Sequence, residues 1–308
     1  MPPKGGGMEL IMVYVNLEDM KLSQFVLGTD GYGERIDKKT ASQIMNEYTD
    51  NGGNVIDTAR LYCDGISEKY VGEFIKGKRD KIYISTKCAH PPLSDMSKNR
   101  LSESEIEYDI DLSLKTMGID YIDILWLHRD DTNVSVEPII DALNKMCHKG
   151  KIRYFGASNW THDRIMLANE YAKASNQMGF IASQPLYNLA IRSRIWDDTL
   201  VCLESIEKDK YDKSHFPVFA FSSQAKGFFE KYAQNQLSSK AMDRYMNSKT
   251  LEIFEMVKEK SLKSGDSISY TALSMLIETS NFKVFPIIGP SNVEQLRLTM
   301  NIKKRSSM

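Results

Sequence analysis

Short apolar runs punctuate the chain at intervals wide enough to hold a helix between them. They fall at 25–28, 54–57, 82–86, 122–127, 154–156, 180–182, 217–221 and 284–288. Runs of roughly 4–8 residues that are apolar at odd and even positions alike suit strands covered on both faces of a parallel sheet. Between them the apolar period lengthens towards that of a helix. Ile106, Ile110, Leu114 and Met117 share one stripe, with Ser104 predicted as N-cap and Gly118 as stop. Val136, Ile139, Ile140, Leu143, Met146 and Cys147 form another, preceded by Ser135 and followed by Gly150. Further helices are predicted over 38–51, 67–76, 161–175, 194–208, 250–263, 268–279 and 292–300.

Eight strands alternating with helices predict an α/β fold, a single-domain (β/α)8 TIM barrel. A doubly wound sheet is the competing architecture. No linker divides the chain. Residues 1–8 read as an extraneous or disordered leader, 9–302 as the barrel, and 303–308 as a short basic tail that is solvated. The stretches 9–15 and 21–24 predict a hairpin capping the barrel floor. Segment 225–248 follows the seventh strand without strong periodicity, and is expected to be a long loop on the active face.

Composition narrows the function classes. The 308 residues carry 40 Lys+Arg against 41 Asp+Glu, and that balance argues against a nucleic-acid partner. No apolar run approaches the roughly 18 residues of a membrane span, so no membrane partner is expected. Cys63, Cys88, Cys147 and Cys202 are far apart and lack a C-x-x-C pair. Neither a zinc site nor a disulfide framework follows, and reduced thiols in a cytoplasmic protein are expected. No histidine spacing suggests a metal site. Gly31-Tyr32-Gly33 opens a dinucleotide fingerprint but lacks its third glycine. Residues 72–79 miss a phosphate loop at the final hydroxyl, and Gly77 reads better as a helix stop.

The informative residues are polar ones that end apolar runs. Asp57, Lys87 and His128 close the second, third and fourth strands, and Tyr62 lies in the loop beyond Asp57. Residues two apart in a strand share a face, so these side chains can converge at the barrel mouth. A buried lysine stays charged beside a carboxylate. A charged lysine near a phenol is expected to lower the phenol's pKa from about 10, so that it donates a proton near neutrality. The imidazole can orient a carbonyl oxygen. Such a site supplies a proton but no electrons, so a reduction needs a separate hydride donor.

These motifs resemble the aldo-keto reductase superfamily. Asn54-Val55-Ile56-Asp57-Thr58-Ala59 with Tyr62 and Ser67-Glu68 is similar to its first signature. Ile84-Ser85-Thr86-Lys87 and Leu127-His128-Arg129-Asp130 resemble its lysine and histidine motifs. The run 150–159, Gln184 with Tyr187-Asn188, and 286–291 leading to Glu294-Gln295-Leu296 follow in the family's order. The resemblance spans about residues 18–302.

The resemblance implies a barrel that binds a nicotinamide dinucleotide without a Rossmann fold. It implies Tyr62 as general acid, Lys87 and Asp57 as its tuning pair, and His128 as the group that orients the carbonyl. It assigns Ser158, Asn159 and Gln184 to the nicotinamide carboxamide and Phe221 to its ring. Gly28 and Thr29 join the cofactor set, as do Ser222 and Lys226 near the pyrophosphate. Gly289, Ser291 and Gln295 mark the adenosine-phosphate end, at a helix N-terminus. NADP(H) is favoured on the resemblance, with NAD(H) as the alternative, because Pro290, Ser291, Asn292 and Gln295 include no basic residue and Arg297 comes two positions late. The chain ends soon after the last helix, so an open pocket is expected, shaped by the loops after strands four, five and seven. Trp126 and Trp160 are candidate walls of that pocket, with core packing as the alternative for both.

The implied activity is reduction of an aldehyde or ketone, such as a sugar or another small carbonyl, to an alcohol. The alternative is a cofactor-binding regulatory subunit resembling the β subunits of potassium channels, which tend to carry an N-terminal regulatory extension that the short leader does not match. An unrelated phosphate-binding barrel lyase fits the motif order less well. Oligomeric state leaves no mark in the sequence.

Overall fold

The computed structural model describes residues 12–302. The leader 1–8, residues 9–11 of the expected hairpin and the tail 303–308 lie outside the described residues. The chain begins with an antiparallel hairpin, β1 (Tyr14–Leu17) and β2 (Met20–Ser23). Eight parallel strands follow: β3 (Val26–Gly28), β4 (Val55–Asp57), β5 (Tyr83–Cys88), β6 (Ile122–Leu127), β7 (Ile152–Ser158), β8 (Ser183–Gln184), β9 (Val218–Ala220) and β10 (Val284–Ile288). Pairing of β10 with β3 closes the sheet, so the (β/α)8 barrel expected from the sequence is the fold.

The helices are α1 (Lys38–Asp50), α2 (Ile66–Ile75), α3 (Glu103–Met117), α4 (Val136–His148), α5 (His162–Ala174), α6 (Ser205–Ser214), α7 (Phe228–Ala233), α8 (Ser239–Tyr245), α9 (Ser248–Ser264), α10 (Ile268–Glu278) and α11 (Val293–Met300). Side-chain caps set several starts. Asp37, Thr161, Asn247 and Asn292 each accept an N–H from the first turn of α1, α5, α9 and α11. Helix α3 is capped by Ser102, not by the expected Ser104. Ser102 Oγ accepts the Glu105 N–H and donates to the Glu105 carboxylate, which places Ser104 inside the helix.

The hairpin closes the N-terminal end of the barrel. Its contacts run to residues at or just before strand starts. Ser23 N–H donates to Asn54 Oδ1, Lys283 Nζ to Asn16 O, and Arg153 pairs with Asp19. Leu17, Met20 and Leu22 pack there onto the barrel interior with Val26, Val55, Ile124, Trp126, Phe219 and Phe285. Phe219 and Phe285 stack at 4.5 Å, and Trp126 lies 5.0 Å from Phe219. Gly156 makes room for Trp126, since a Cβ there would lie 2.3 Å from its ring. The interior is thus filled, and open chemistry is confined to the opposite, C-terminal end of the strands.

Three expected elements differ. The run 180–182 precedes its strand: Ile181 N–H bonds only across to Phe155 O, and the ladder to both neighbours begins at Ser183. The helix expected over 194–208 begins only at Ser205. Leu186 N–H bonds to Val201 O and Leu203 N–H to Leu186 O, which holds 201–203 extended. The segment 225–248 is no open loop. It folds into α7 and α8, whose Phe228, Phe229, Ala241 and Tyr245 are buried, all but Ala241 in a cluster with Phe254 of α9.

Candidate active site

Asp57, Lys87 and His128 lie within one residue of the ends of three consecutive strands. Registry sets Asp57 opposite Ser85, and Lys87 opposite Trp126 two residues before His128. Lys87 Nζ lies 2.5 Å from Asp57 Oδ2 and also donates to Thr58 O at 2.8 Å. Both side chains are only 3% exposed. The other carboxylate oxygen of Asp57 accepts from Ser85 Oγ (2.6 Å) and Gln184 Nε2 (3.1 Å). Burial opposes the charge on Lys87, but Asp57 and Tyr62 outweigh it and hold the ammonium above its ordinary pKa.

Tyr62 opens a single 3₁₀ turn, Tyr62–Gly65, between β4 and α2. Its ring stands 4.9 Å from Lys87 Nζ and 6.2 Å, edge to face, from His128. The turn is clamped from below. Arg60 donates to the fully buried Glu68 at 2.8 Å and to Asp64 O at 3.1 Å, and Glu68 also accepts from Thr86 Oγ1 at 2.7 Å. Cys63 and Asp64 have φ of +50° and +51°, a strained conformation that this clamp supports. The phenol differs from the sequence expectation: burial raises its pKa above the ordinary 10, and the opposing charge of Lys87 does not overcome it.

His128 is driven well below its ordinary pKa, first by burial and then by the charges of Lys87, His90 and Arg129. It is therefore a neutral imidazole at pH 7. Its Nδ1 is buried without a partner. His90, which no sequence motif singled out, packs its ring edge to face on His128 at 4.6 Å. His90 Nδ1 lies 2.6 Å from Pro91 O, which fixes the proton on Nδ1. Ala89 N–H donates to Asp109, itself held by two bonds from Arg100. The available signal was a polar ring three positions beyond Lys87.

Ser158, Asn159 and Gln184 join this cluster into one network. Ser158 Oγ donates to Gln184 O at 2.8 Å, and Asn159 Nδ2 donates to His128 O and Ser158 Oγ. Asn159 has φ +59°, and its Oδ1 is buried without a partner. Gly28 lies opposite Asp57, and a Cβ there would meet Ile287 at 2.7 Å. Thr29 is fully buried, with its hydroxyl donating to Asp57 O and bonded to Ser67 Oγ.

After β9 the chain runs through half-buried Phe221 and Ser222 into exposed Lys226. Ser222, Ala225, Lys226 and Gly227 all have positive φ. Partial burial, then the cations Arg244 and Lys240, lower the pKa of Lys226, and Arg35 and Asp30 also act on it. Ser223 Oγ donates to Ile287 O and Gln224 Nε2 to Thr299, which seats this loop beside β10 and α11. At the start of α11, Ser291 N–H donates to Gln295 Oε1, and Gln295 N–H to Asn292 Oδ1. A Cβ on Gly289 would meet nothing within 4 Å. Arg297 is engaged elsewhere, in a two-point ion pair with Glu47 of α1.

Neither tryptophan lines an open pocket. Trp126 is 0% exposed in the barrel interior. Trp160 is also 0% exposed, packs on Phe180 at 5.3 Å and donates to Arg129 O. Both large rings are drawn into the core by the burial of their own surface.

Comparison with known proteins places the chain in a family. The model of the aldo/keto reductase family matches residues 24–305. Norsolorinic acid reductase B of Dothistroma septosporum is 26% identical over 298 residues, covering 90% of this chain and 73% of that protein. YrpG, an uncharacterized oxidoreductase of Bacillus subtilis, is 27% identical over 309 residues, 93% of this chain and 89% of its own. A probable voltage-gated potassium channel subunit beta of Arabidopsis thaliana is 32% identical over 190 residues, 60% of this chain and 58% of its own. With a closed (β/α)8 barrel and a family match over nearly its whole length, this chain belongs to the aldo/keto reductase family and is an oxidoreductase.

Proposed function

We propose that the protein reduces an aldehyde or ketone to an alcohol with a nicotinamide cofactor, and that Tyr62 supplies the proton. The observation that carries this reading is the buried Lys87–Asp57 pair set against Tyr62, with a neutral His128 packed edge to face on the phenol ring. The neutral imidazole orients the carbonyl oxygen by a hydrogen bond rather than by a full charge. The phenol, held protonated by burial, keeps its proton until negative charge develops on that oxygen. Lys87 then stabilises the phenolate that remains, and Asp57 keeps Lys87 charged throughout.

The residues suit a dinucleotide. The unpartnered Oδ1 of Asn159 is a buried acceptor for an amide N–H, and Ser158 and Gln184 stand beside it. Lys226, with Arg244, Lys240 and Arg35 around it, supplies cationic charge for phosphates, and open space surrounds Gly289. When bound, the reduced nicotinamide supplies the hydride that the protein's own groups lack. The Lys226 surroundings favour NADP(H), and NAD(H) stays the alternative because no basic residue stands at 290–292 or 295. The free cysteines suit a reducing compartment such as the cytoplasm.

The test is consumption of NADPH and NADH with a panel of aldehydes and dicarbonyls, for wild type and Tyr62→Phe. The expected result is a fall of at least about 100-fold in kcat with cofactor affinity retained. Turnover preserved in the variant removes Tyr62 from the role of proton donor. The likeness to a channel subunit supports a second reading, in which the bound cofactor serves a partner protein. Tight cofactor binding without turnover of any carbonyl would favour it.

A further inference from the structure

Arg129 stands directly after His128 at the end of β6, half-buried, and beyond its share in keeping His128 neutral it has no role in the proton transfer. Its guanidinium is incompletely satisfied. Nη1 donates to His128 O at 3.0 Å, whereas Nε is buried without a partner and Nη2 makes no hydrogen bond among the described residues. No carboxylate among the described residues lies within the 4.0 Å of an ion pair. The neighbouring arginines differ: Arg164 is held by Asp130 and two carbonyls, and Arg100 by Asp109. The carboxylate whose charge acts on Arg129, Asp197, has Oδ1 engaged by the N–H and hydroxyl of Thr199. Arg129 follows His128 in the chain and bonds its carbonyl, which puts it at the same end of the barrel, where its charge also acts on Tyr62, His128 and His90.

A half-buried guanidinium with no carboxylate in direct contact is costly unless an anion completes it. Nε and Nη2 form one edge of the planar fork, the edge that takes two oxygens of a carboxylate or phosphate side by side. We propose that Arg129 is a substrate-binding residue that selects carbonyl compounds bearing an anionic oxygen group, carboxylate or phosphate, on the side of the pocket formed by the loop after β6. The proposal rests on the reductase reading of the site.

The test compares matched substrates. One pair is 4-carboxybenzaldehyde and its neutral isostere 4-formylbenzamide; the other is glyceraldehyde 3-phosphate and glyceraldehyde. Both members of a pair meet the same catalytic groups, so the ratio of their kcat/KM values cancels general damage to the enzyme. The wild type is expected to favour the anionic member of at least one pair by about tenfold or more, mainly through KM. Which pair does so separates carboxylate from phosphate. Arg129→Gln should bring that ratio close to one. Arg129→Lys, which keeps the charge and loses the fork, should fall between. A wild-type ratio near one in both pairs, or a ratio that Arg129→Gln leaves unchanged, overturns the proposal. Turnover of the neutral aldehydes without anion preference refutes only Arg129's role. If no aldehyde is turned over, the reductase reading fails, and calorimetry with benzoate against benzamide decides the Arg129 site by itself. Preference for benzoate that disappears in Arg129→Gln sustains it, and equal binding overturns it.

Discussion

The buried pair at the centre of the site gives a prediction that needs no substrate. Removing Lys87 as Lys87→Met leaves Asp57 in a setting where both side chains were 3% exposed. At 2.5 Å, with an effective dielectric of about 20, the gross attraction is of order 7 kcal/mol. Desolvation of both ions offsets part of this, and breaking one half of a buried pair costs about 3–5 kcal/mol. Asp57 would keep its bonds from Ser85 and Gln184, which argues for the lower half of that range. Asp57→Asn leaves the buried ammonium with neutral acceptors only, Thr58 O and the new amide oxygen, so it should cost as much or more. The double variant Asp57→Asn/Lys87→Met removes both charges, and should cost about 3 kcal/mol less than the two singles added together. The assay is urea unfolding at pH 7 for wild type, both singles and the double. Fluorescence and circular dichroism should be followed together, so that a single transition is verified. If the singles add without coupling, or if Lys87→Met costs under about 1 kcal/mol, the two charges do not support one another and the geometric argument is wrong.

Three further outcomes follow from other contacts. Glu68→Gln should weaken the clamp on the Tyr62 turn by about 1–3 kcal/mol, lowering kcat and opening the 60–65 stretch to limited proteolysis; a variant with wild-type kcat and protease resistance refutes the clamp. His128 is buried neutral with its pKa below the ordinary 6.5, so its contribution to stability is complete above about pH 6.5 and is lost as pH falls towards the folded pKa. Between pH 7.5 and 5.5 the wild type should lose about 1.4 kcal/mol more than His128→Gln in urea titrations, and equal losses would show that the imidazole is not held neutral. In an exposed helix Gly72→Ala would stabilise by up to about 1 kcal/mol, but here the new Cβ would lie 2.3 Å from Met117 O, so the sign should reverse to a loss of about 1–3 kcal/mol in thermal melts.

The barrel was legible because its strands are covered on both faces and so appear as unbroken apolar runs. Asp57, Lys87 and His128 were legible for the complementary reason, since each is a polar residue closing such a run. Elements that depend on neighbours were not. The pattern over 194–208 has helical spacing, yet Leu186 claims the backbone groups of 201 and 203. The segment 225–248 shows no strong period because α7 and α8 have only 6 and 7 residues, too short for a stripe to declare itself. Trp126 and Trp160 read equally as pocket or core until burial was known. His90 has no periodic signal, only its place three positions beyond Lys87.

The sequence by itself determined the alternation of strand and helix, the hairpin ahead of it, and which chemical groups stand at the strand ends. These follow from local periodicity and from the rule that residues two apart share a face. Only the tertiary structure decided the electrostatic state of those groups. Lys87 near Tyr62 suggested a lowered phenol pKa, and the closed site reverses the direction because burial outweighs one neighbouring charge. The incomplete bonding of Arg129 is likewise invisible in the chain, where a carboxylate, Asp130, follows it immediately. Asp130 turns instead to Arg164 of α5, 34 positions on. Desolvation and partner choice are properties of the space around a group, and a chain acquires that space only when it folds.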